Sequence, residues 1–224
     1  EDPVEYRMAG INQSQVDVEH GYTFAKGLKS MLRQDPDIAM VGEIRDLETA
    51  DTAIQAALTG HLLLSTLHTN SAAGAIPRFI AMGVRPFLLA PALNAVIGQR
   101  LVRRLCSACR KEKALTENEL ADIQKIISVL PLQEKKNIPS DLIFYGPIGC
   151  EECNGLGYKG RVGVYEIMVV DDAIEKLILA GTGAANDVEA AARSSGMLTM
   201  VEDGIFQCVQ GYTTIEEVLR VISE

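Results

Sequence analysis

Ile38-Ala39-Met40-Val41-Gly42-Glu43-Ile44-Arg45-Asp46 and, after a short intervening stretch, Leu62-Leu63-Leu64-Ser65-Thr66-Leu67-His68 decide the fold class. Ile38 to Val41 is a short apolar run with β-branched ends, the pattern of a strand buried on both faces of a parallel sheet. Asp46 offers a carboxylate to the free N–H groups of a helix expected over 47–58, and Gly60 supplies the left-handed residue that stops it. Leu62 to Leu67 then reads as a second buried strand. Strand, helix and strand within so short a span make a βαβ unit, whose crossover forces the two strands to run parallel. The expected class is α/β.

Upstream of this unit, Phe24 to Arg33 carries a short amphipathic helical pattern, and Pro36 disfavours helix for the residue before it. Downstream, 71–82 and 86–105 are expected to be helices, the second ending in Arg100, Arg103 and Arg104, cations that suit a helix C-terminus. The composition shifts at Cys106. From there to about Arg161 lie two Cys-x-x-Cys pairs, a charged helix expected over 117–129, a polar loop and the Gly-rich Asn154-Gly155-Leu156-Gly157-Tyr158-Lys159-Gly160, together an inserted small module. Val162 to Val170 returns to strand, and three or four short helices follow from Asp172, with Gly181, Gly196 and Gly211 as their stops. The expected division is a core over 1–105, a cysteine module over 106–161, and a return strand with a C-terminal helical bundle over 162–224. No internal repeat or low-complexity tract is present.

The chain has 224 residues, 47% of them apolar, enough to bury the core of one large domain or two small ones. No run approaches the ~18–20 apolar residues of a membrane helix, and no secretory leader pattern opens the chain, so a soluble, cytosolic protein is expected. A net charge of −9 and a pI near 4.9 speak against nucleic acid as the main partner, because phosphate binding needs surplus Lys and Arg. In the cytosol two Cys-x-x-Cys pairs read as metal binding more readily than as disulfides. Cys208, in a helical pattern with apolar neighbours, is expected to be a small core residue. The chain opens on Glu1-Asp2-Pro3 and reads as a piece of a longer protein.

In open α/β sheets ligands bind at the carboxyl ends of the strands. Glu43 follows the first strand, His68 follows the second, and Asp2 and Glu5 would follow a strand lying before residue 1; these groups are expected to converge on one crevice. A carboxylate there can hold Mg²⁺ through water or act as general base on an attacking water, as nucleoside triphosphate hydrolysis requires. Plainer roles stand beside these. Glu43 can be a helix-start acid or a partner for Arg45, His68 a polar strand end, and Asp2-Pro3 a turn opener. His61, at the start of its strand, reads first as structural, and His20 has no context.

Glu1-Asp2-Pro3-Val4-Glu5-Tyr6 resembles the Asp box of the secretion ATPase superfamily. The stretch from Arg33 to Asp46 looks like that superfamily's atypical Walker B segment, with Gly42 where most related ATPases have an acid. Thr59 to Asn70 looks like its His box, and Gln99 to Cys106 and Gly160 to Glu166 look like segments flanking a tetracysteine module. The resemblance covers the whole chain. It implies a RecA-like ATPase core, here its C-terminal part with a parallel sheet, carrying an inserted zinc module. Retraction-type pilus ATPases generally lack that module, so the resemblance points to the type II secretion, pilus-extension or competence branch.

Carried over residue by residue, the resemblance implies that Glu5 positions or activates the attacking water and that Glu43 serves the Mg²⁺ and γ-phosphate side of ATP. Asp2 would support the same site, and His68, with His61, would sense or stabilise the γ-phosphate. It also implies a homo-hexamer at the cytoplasmic side of the inner membrane, working with a platform protein and a membrane adaptor and not with nucleic acid. Cys106, Cys109, Cys150 and Cys153 supply four thiolates for a closed, structural, tetrahedral Zn²⁺ site, with 40 residues between the pairs. A thioredoxin-like redox role does not fit, because neither pair opens a helix after a strand. The sequence departs from a complete ATPase in one respect: no G-x-x-x-x-G-K-[ST] occurs in it, so no loop of this chain cradles the β- and γ-phosphates. The alternative is a non-catalytic zinc-ribbon adaptor or degenerate ATPase scaffold, since Cys150 to Gly157 is similar to one Cys-x-x-Cys-x-Gly-x-Gly unit of J-protein zinc domains. A DNA-translocating relative on the same core is disfavoured by the charge.

Overall fold

A computed structural model describes residues 1–136, 138–139, 142–181 and 183–222. Along the chain lie α1 (Phe24–Leu32), β1 (Ile38–Val41), α2 (Leu47–Leu58), β2 (Leu62–Ser65), α3 (Ala75–Ala81), α4 (Pro86–Leu89) and β3 (Ala95–Leu105). There follow β4 (Lys111–Glu112), α5 (Glu117–Val129), α6 (Leu132–Lys135), β5 (Tyr145–Gly146), β6 (Tyr158–Val169), α7 (Asp172–Leu179), α8 (Ala185–Ser194), α9 (Met200–Val209) and α10 (Ile215–Ile222). They belong to two compact units, 1–96 with 169–192, and 97–168 with 193–224.

In the first unit β1 and β2 pair in parallel, from Ile38 opposite Leu62 to Val41 opposite Ser65. Asp46 caps α2 as its sequence predicts, accepting from the Thr49 N–H at 2.8 Å, and Gly60 beyond the helix adopts φ +101°. Helices α1 and α2 cover one face of the strand pair, where Ala39 and Val41 are buried with Leu28, Ala50, Ala53 and Ile54. The other face is not covered: Ile38, Met40, Leu62 and Leu64 are all half exposed or more. The expectation of strands buried on both faces therefore holds for one face only, because the described residues bring a helix layer to a single side.

The helix expected over 86–105 is really two elements. Pro86 starts the single turn α4 at its favoured first position, and from Ala95 the chain extends into β3. Ile97 and Leu101 are exposed while Val102 is wholly buried. Pairing with β6 overrides the apolar spacing that suggested a helix. Arg100, Arg103 and Arg104 thus lie on a strand and cap no helix. Similarly, α3 begins at Ala75 rather than Ser71, because the Ser71 hydroxyl accepts from the Gly74 N–H in a local turn (3.2 Å).

In the second unit, β3 and β6 form a two-stranded sheet, β4 and β5 pair antiparallel (Lys111 with Gly146, Glu112 with Tyr145), and α5, α9 and α10 complete one core. That core joins Val102 and Val164 of the strands to Ile123 of α5, Ile205 and Cys208 of α9, and Val218 of α10. Cys208 is buried there as expected. Helix α5 sits where predicted, but it shares its core with β3 and the last two helices, so the boundaries at 105/106 and 161/162 run through packed side chains. The C-terminal helices are divided between the two units. Helix α7 packs on α4 in the first unit, burying Ile174 and Ile178, whereas α9 and α10 belong to the second.

Candidate functional site

The carboxyl ends of β1 and β2 stay together beyond the strands themselves. Ile44 N–H donates to Thr66 O (3.0 Å), and Thr66 Oγ1 donates to Gly42 O (2.7 Å). These two bonds hold the 42–45 and 66–68 segments side by side, so that Glu43 and His68 meet although 25 residues separate them.

Glu43 accepts from Arg45 Nη2 at 2.5 Å through one oxygen and lies 3.1 Å from His68 Nε2 through the other. Its side chain is only 12% exposed, against 60% for Arg45 and 83% for His68. The Arg45 hydrogen bond holds the Glu43 carboxyl below the usual carboxylate range; partial burial opposes this, and the Arg45 charge and His68 add to it. Glu43 in turn raises the Arg45 pKa, with a smaller contribution from the nearby charge of Asp2. The result is an acceptor-only carboxylate at the end of a parallel strand, flanked by a cation and an imidazole that reach into solvent. Such a group can hold a hydrated cation or take part in activating water.

The N-terminal segment packs against this site. A β-carbon at Gly42 would touch Glu1 Cα and Phe24 Cε1 at 3.4 Å, so a larger side chain there would push the segment away. Glu1 is tied down by Ser14 O and Val16 N, and the Val4 and Met8 N–H groups by the side chains of Gln15 and Gln13. The structure thus gathers Glu43, His68 and Arg45, with Asp2 close enough to act on Arg45. Glu5 is exposed and stands outside the hydrogen-bonded group. His61 stands apart as well, with Nδ1 3.1 Å from Ala56 O and 3.2 Å from Thr59 Oγ1 at the end of α2, a strand's length from His68. Glu43 does pair with Arg45, the plainer of the roles its position suggested, and it lies just past the end of β1. Thr66 escaped notice; a hydroxyl just past a strand end was its only signal.

The second candidate is the cysteine cluster. Cys106, Cys109, Cys150 and Cys153 are free thiols whose sulfurs all lie within 4.8 Å of one another. The Sγ pairs 106/150, 109/153 and 150/153 are 3.9, 3.8 and 3.8 Å apart. Four sulfurs set tetrahedrally about 2.3 Å from one ion are about 3.8 Å from each other, whereas a disulfide requires about 2.05 Å. Each pair closes a tight turn, through Cys109 N–H to Cys106 O and Cys153 N–H to Cys150 O. Backbone amides also point at the sulfurs: Gly149 N–H at Cys109, and those of Cys150 and Gly157 at Cys153. Burial would raise the Cys153 thiol, but these two amides together with the Cys150 and Cys109 side chains outweigh it and bring it down to about 6, while burial pushes Cys109 up to about 11. The donor set therefore fits a tetrahedral, thiophilic ion.

A family model described as Type II/IV secretion system protein matches residues 1–220. The chain is 50% identical to the type IV pilus assembly ATPase PilB of Thermus thermophilus over 219 residues, 98% of this chain and 24% of the relative. It is 46% identical to the type II secretion system protein E of Aeromonas hydrophila over all 224 residues, 42% of that relative. The chain therefore spans less than half the length of these relatives. Among solved structures, the pilus retraction motor PilT with bound ADP superposes with a TM-score of 0.64 at 28% identity, covering 98% of this chain and 50% of that one. The Legionella pneumophila ATPase DotB (TM-score 0.62, 23% identity, 99% of this chain and 50% of that one) shares the fold. With the family match running from residue 1 to residue 220, the chain belongs to the type II/IV secretion system protein family.

Proposed function

We propose that this chain is the part of a secretion or pilus-assembly ATPase that presents Glu43, His68 and Asp2 to the γ-phosphate and Mg²⁺ of ATP, with Glu5 orienting the attacking water. The observation that carries this is Glu43 itself, ionised at the carboxyl end of β1 and held between Arg45 and His68. A scaffold that only docks partners has no use for such a group. The relatives named as ATPases support the activity, and the likeness to PilT supports a RecA-like core. Mg²⁺, when bound, supplies neutralisation of phosphate charge. His68 is linked by one hydrogen bond and reaches into solvent, which suits a side chain that turns from Glu43 towards a phosphate as nucleotide arrives. The role of His61 is then indirect, through the start of β2.

The partners we propose are those the resemblance implies: a homo-hexamer on the cytoplasmic face of the inner membrane, working with a platform protein and a membrane adaptor to assemble pilins or pseudopilins, without nucleic acid. Among the described residues no helix is long and apolar enough to cross a membrane. The ion of the cysteine cluster is Zn²⁺, structural because all four positions are taken by protein.

Glu43→Gln in the full-length protein keeps the side chain's size and removes its charge. ATP turnover is expected to fall about 100-fold or more while nucleotide binding persists. Unchanged turnover would sink the assignment.

A further inference from the structure

The residues flanking the cysteine pairs do something the metal site alone does not require: they grip the last helix. Leu105 N–H donates to Tyr212 O at 2.8 Å, and Thr213 Oγ1 donates to Arg103 O at 2.9 Å. The Arg110 guanidinium donates to Gly211 O and stacks on Tyr145, 4.8 Å from the ring centre. Tyr158, beyond the second pair, carries Arg103 on its ring face at 4.4 Å and puts its hydroxyl 3.4 Å from Thr214 Oγ1. Lys113 pairs with Glu216. Glu217, only 2% exposed, receives both the Arg103 backbone N–H (3.2 Å) and its guanidinium (2.5 Å), with Arg220 completing the set at 3.0 Å. The α9–α10 turn and the first turn of α10 are thus held by residues no more than five positions from a cysteine.

We propose that the metal-loaded cysteine site is the clamp that docks α10, so that loss of the metal releases residues 211–222 along with the cysteine loops. This rests on the metal assignment above. The two stretches that supply the grips, 103–113 and 145–158, are joined near the cysteines by the Cys106 N–H to Gly157 O bond and by the short β4–β5 pairing. Without a cation the four sulfur–metal bonds that would lock the two knuckles together are missing, and only the Cys106–Gly157 bond and the two-residue β4–β5 pairing are left to hold them. When they loosen, the Arg103 guanidinium loses the Tyr158 ring that holds it over Glu217, and the Glu217 carboxylate loses support. A buried carboxylate short of a partner favours exposure, and α10 carries it outward.

The test is hydrogen–deuterium exchange on the intact protein, metal-loaded and after stripping with a zinc chelator, with elemental analysis of both samples. Stripping is expected to speed exchange in 212–222 about tenfold or more, together with the cysteine loops, and to leave α2 unchanged. Faster exchange confined to the cysteine loops, in a protein that held one metal per chain, overturns the clamp and leaves the metal assignment standing. Absence of metal before stripping overturns both. Tyr158→Leu keeps all four cysteines and removes the support beneath Arg103. Metal content should stay at the wild-type value while 212–222 loses protection even in the loaded protein, and undiminished protection in this variant counts against the clamp.

Discussion

Two glutamates show how much a carboxylate's neighbours decide. Glu43 and Glu217 are both hydrogen-bonded to arginine, yet Glu43 sits at an open strand end with an exposed imidazole beside it, while Glu217 is enclosed between Arg103 and Arg220. Only the first stands where the proposed chemistry would need it. The second is a stability device, its pKa drawn from 4.5 to about 2 chiefly by the Arg103 hydrogen bond, against the opposing effect of burial. A carboxyl whose folded pKa is depressed stabilises the fold fully above its unfolded value and ceases to do so as pH falls through the folded value. Discounted for the solvent that screens the half-exposed Arg103 and Arg220, the expected contribution is on the order of 1–2 kcal/mol, present at neutral pH and lost between about pH 4.5 and 2. Denaturant unfolding across that range should show the decline, and Glu217→Gln should flatten it; an equally steep decline in the variant would assign the acid sensitivity elsewhere. Glu43 was legible because strand-end position is a local property of sequence. Glu217 was not, because its arginine lies 114 residues away and no spacing rule reaches that far.

At the scale of elements, local signals worked where the local chain decides. Asp46 before α2, the Thr116 and Glu119 capping box of α5, and the positive-φ glycines after α7, α8 and α9 all lie where their chemistry is needed. They failed at β3, whose apolar spacing tolerates a helix and whose partner strand β6 arrives only after the whole cysteine region. Gly204 in α9 makes the same point energetically. Replacing a mid-helix glycine by alanine normally gains about 1 kcal/mol. Here an added β-carbon would lie 2.4 Å from Val218 Cγ1 of α10, and a β-branched valine in a helix has no second rotamer to retreat to. Overpacking of about 1–3 kcal/mol outweighs the propensity gain. Gly204→Ala should therefore lower stability in denaturant unfolding, and the double variant with Val218→Ala should recover much of the loss. A stabilised Gly204→Ala would show that α9 and α10 approach less closely.

On the scale of the molecule, the proposed nucleotide site would have only one side in these residues, whose sequence contains no G-x-x-x-x-G-K-[ST] loop. Residues 1–224 by themselves are therefore expected to show no Mg²⁺-dependent ATP turnover above background, whereas the full-length protein turns over; a phosphate-release assay on both decides it. Measurable turnover by the 224-residue chain would mean that the phosphates have another cradle. What the sequence by itself determined is the α/β class, the βαβ unit from Ile38 to Ser65, the candidate pair Glu43 and His68, and the four cysteines as one cluster. Each of these is written in a continuous run or a short repeated spacing, where local propensity and strand-end position suffice. Only the tertiary structure decided that one face of the β1–β2 pair stays uncovered, that 95–105 is a strand, that α7 and α10 belong to different units, and that the cysteine flanks hold the last helix. Those outcomes depend on which distant surface each segment finds to bury against, and burial is a property of the partner as much as of the segment.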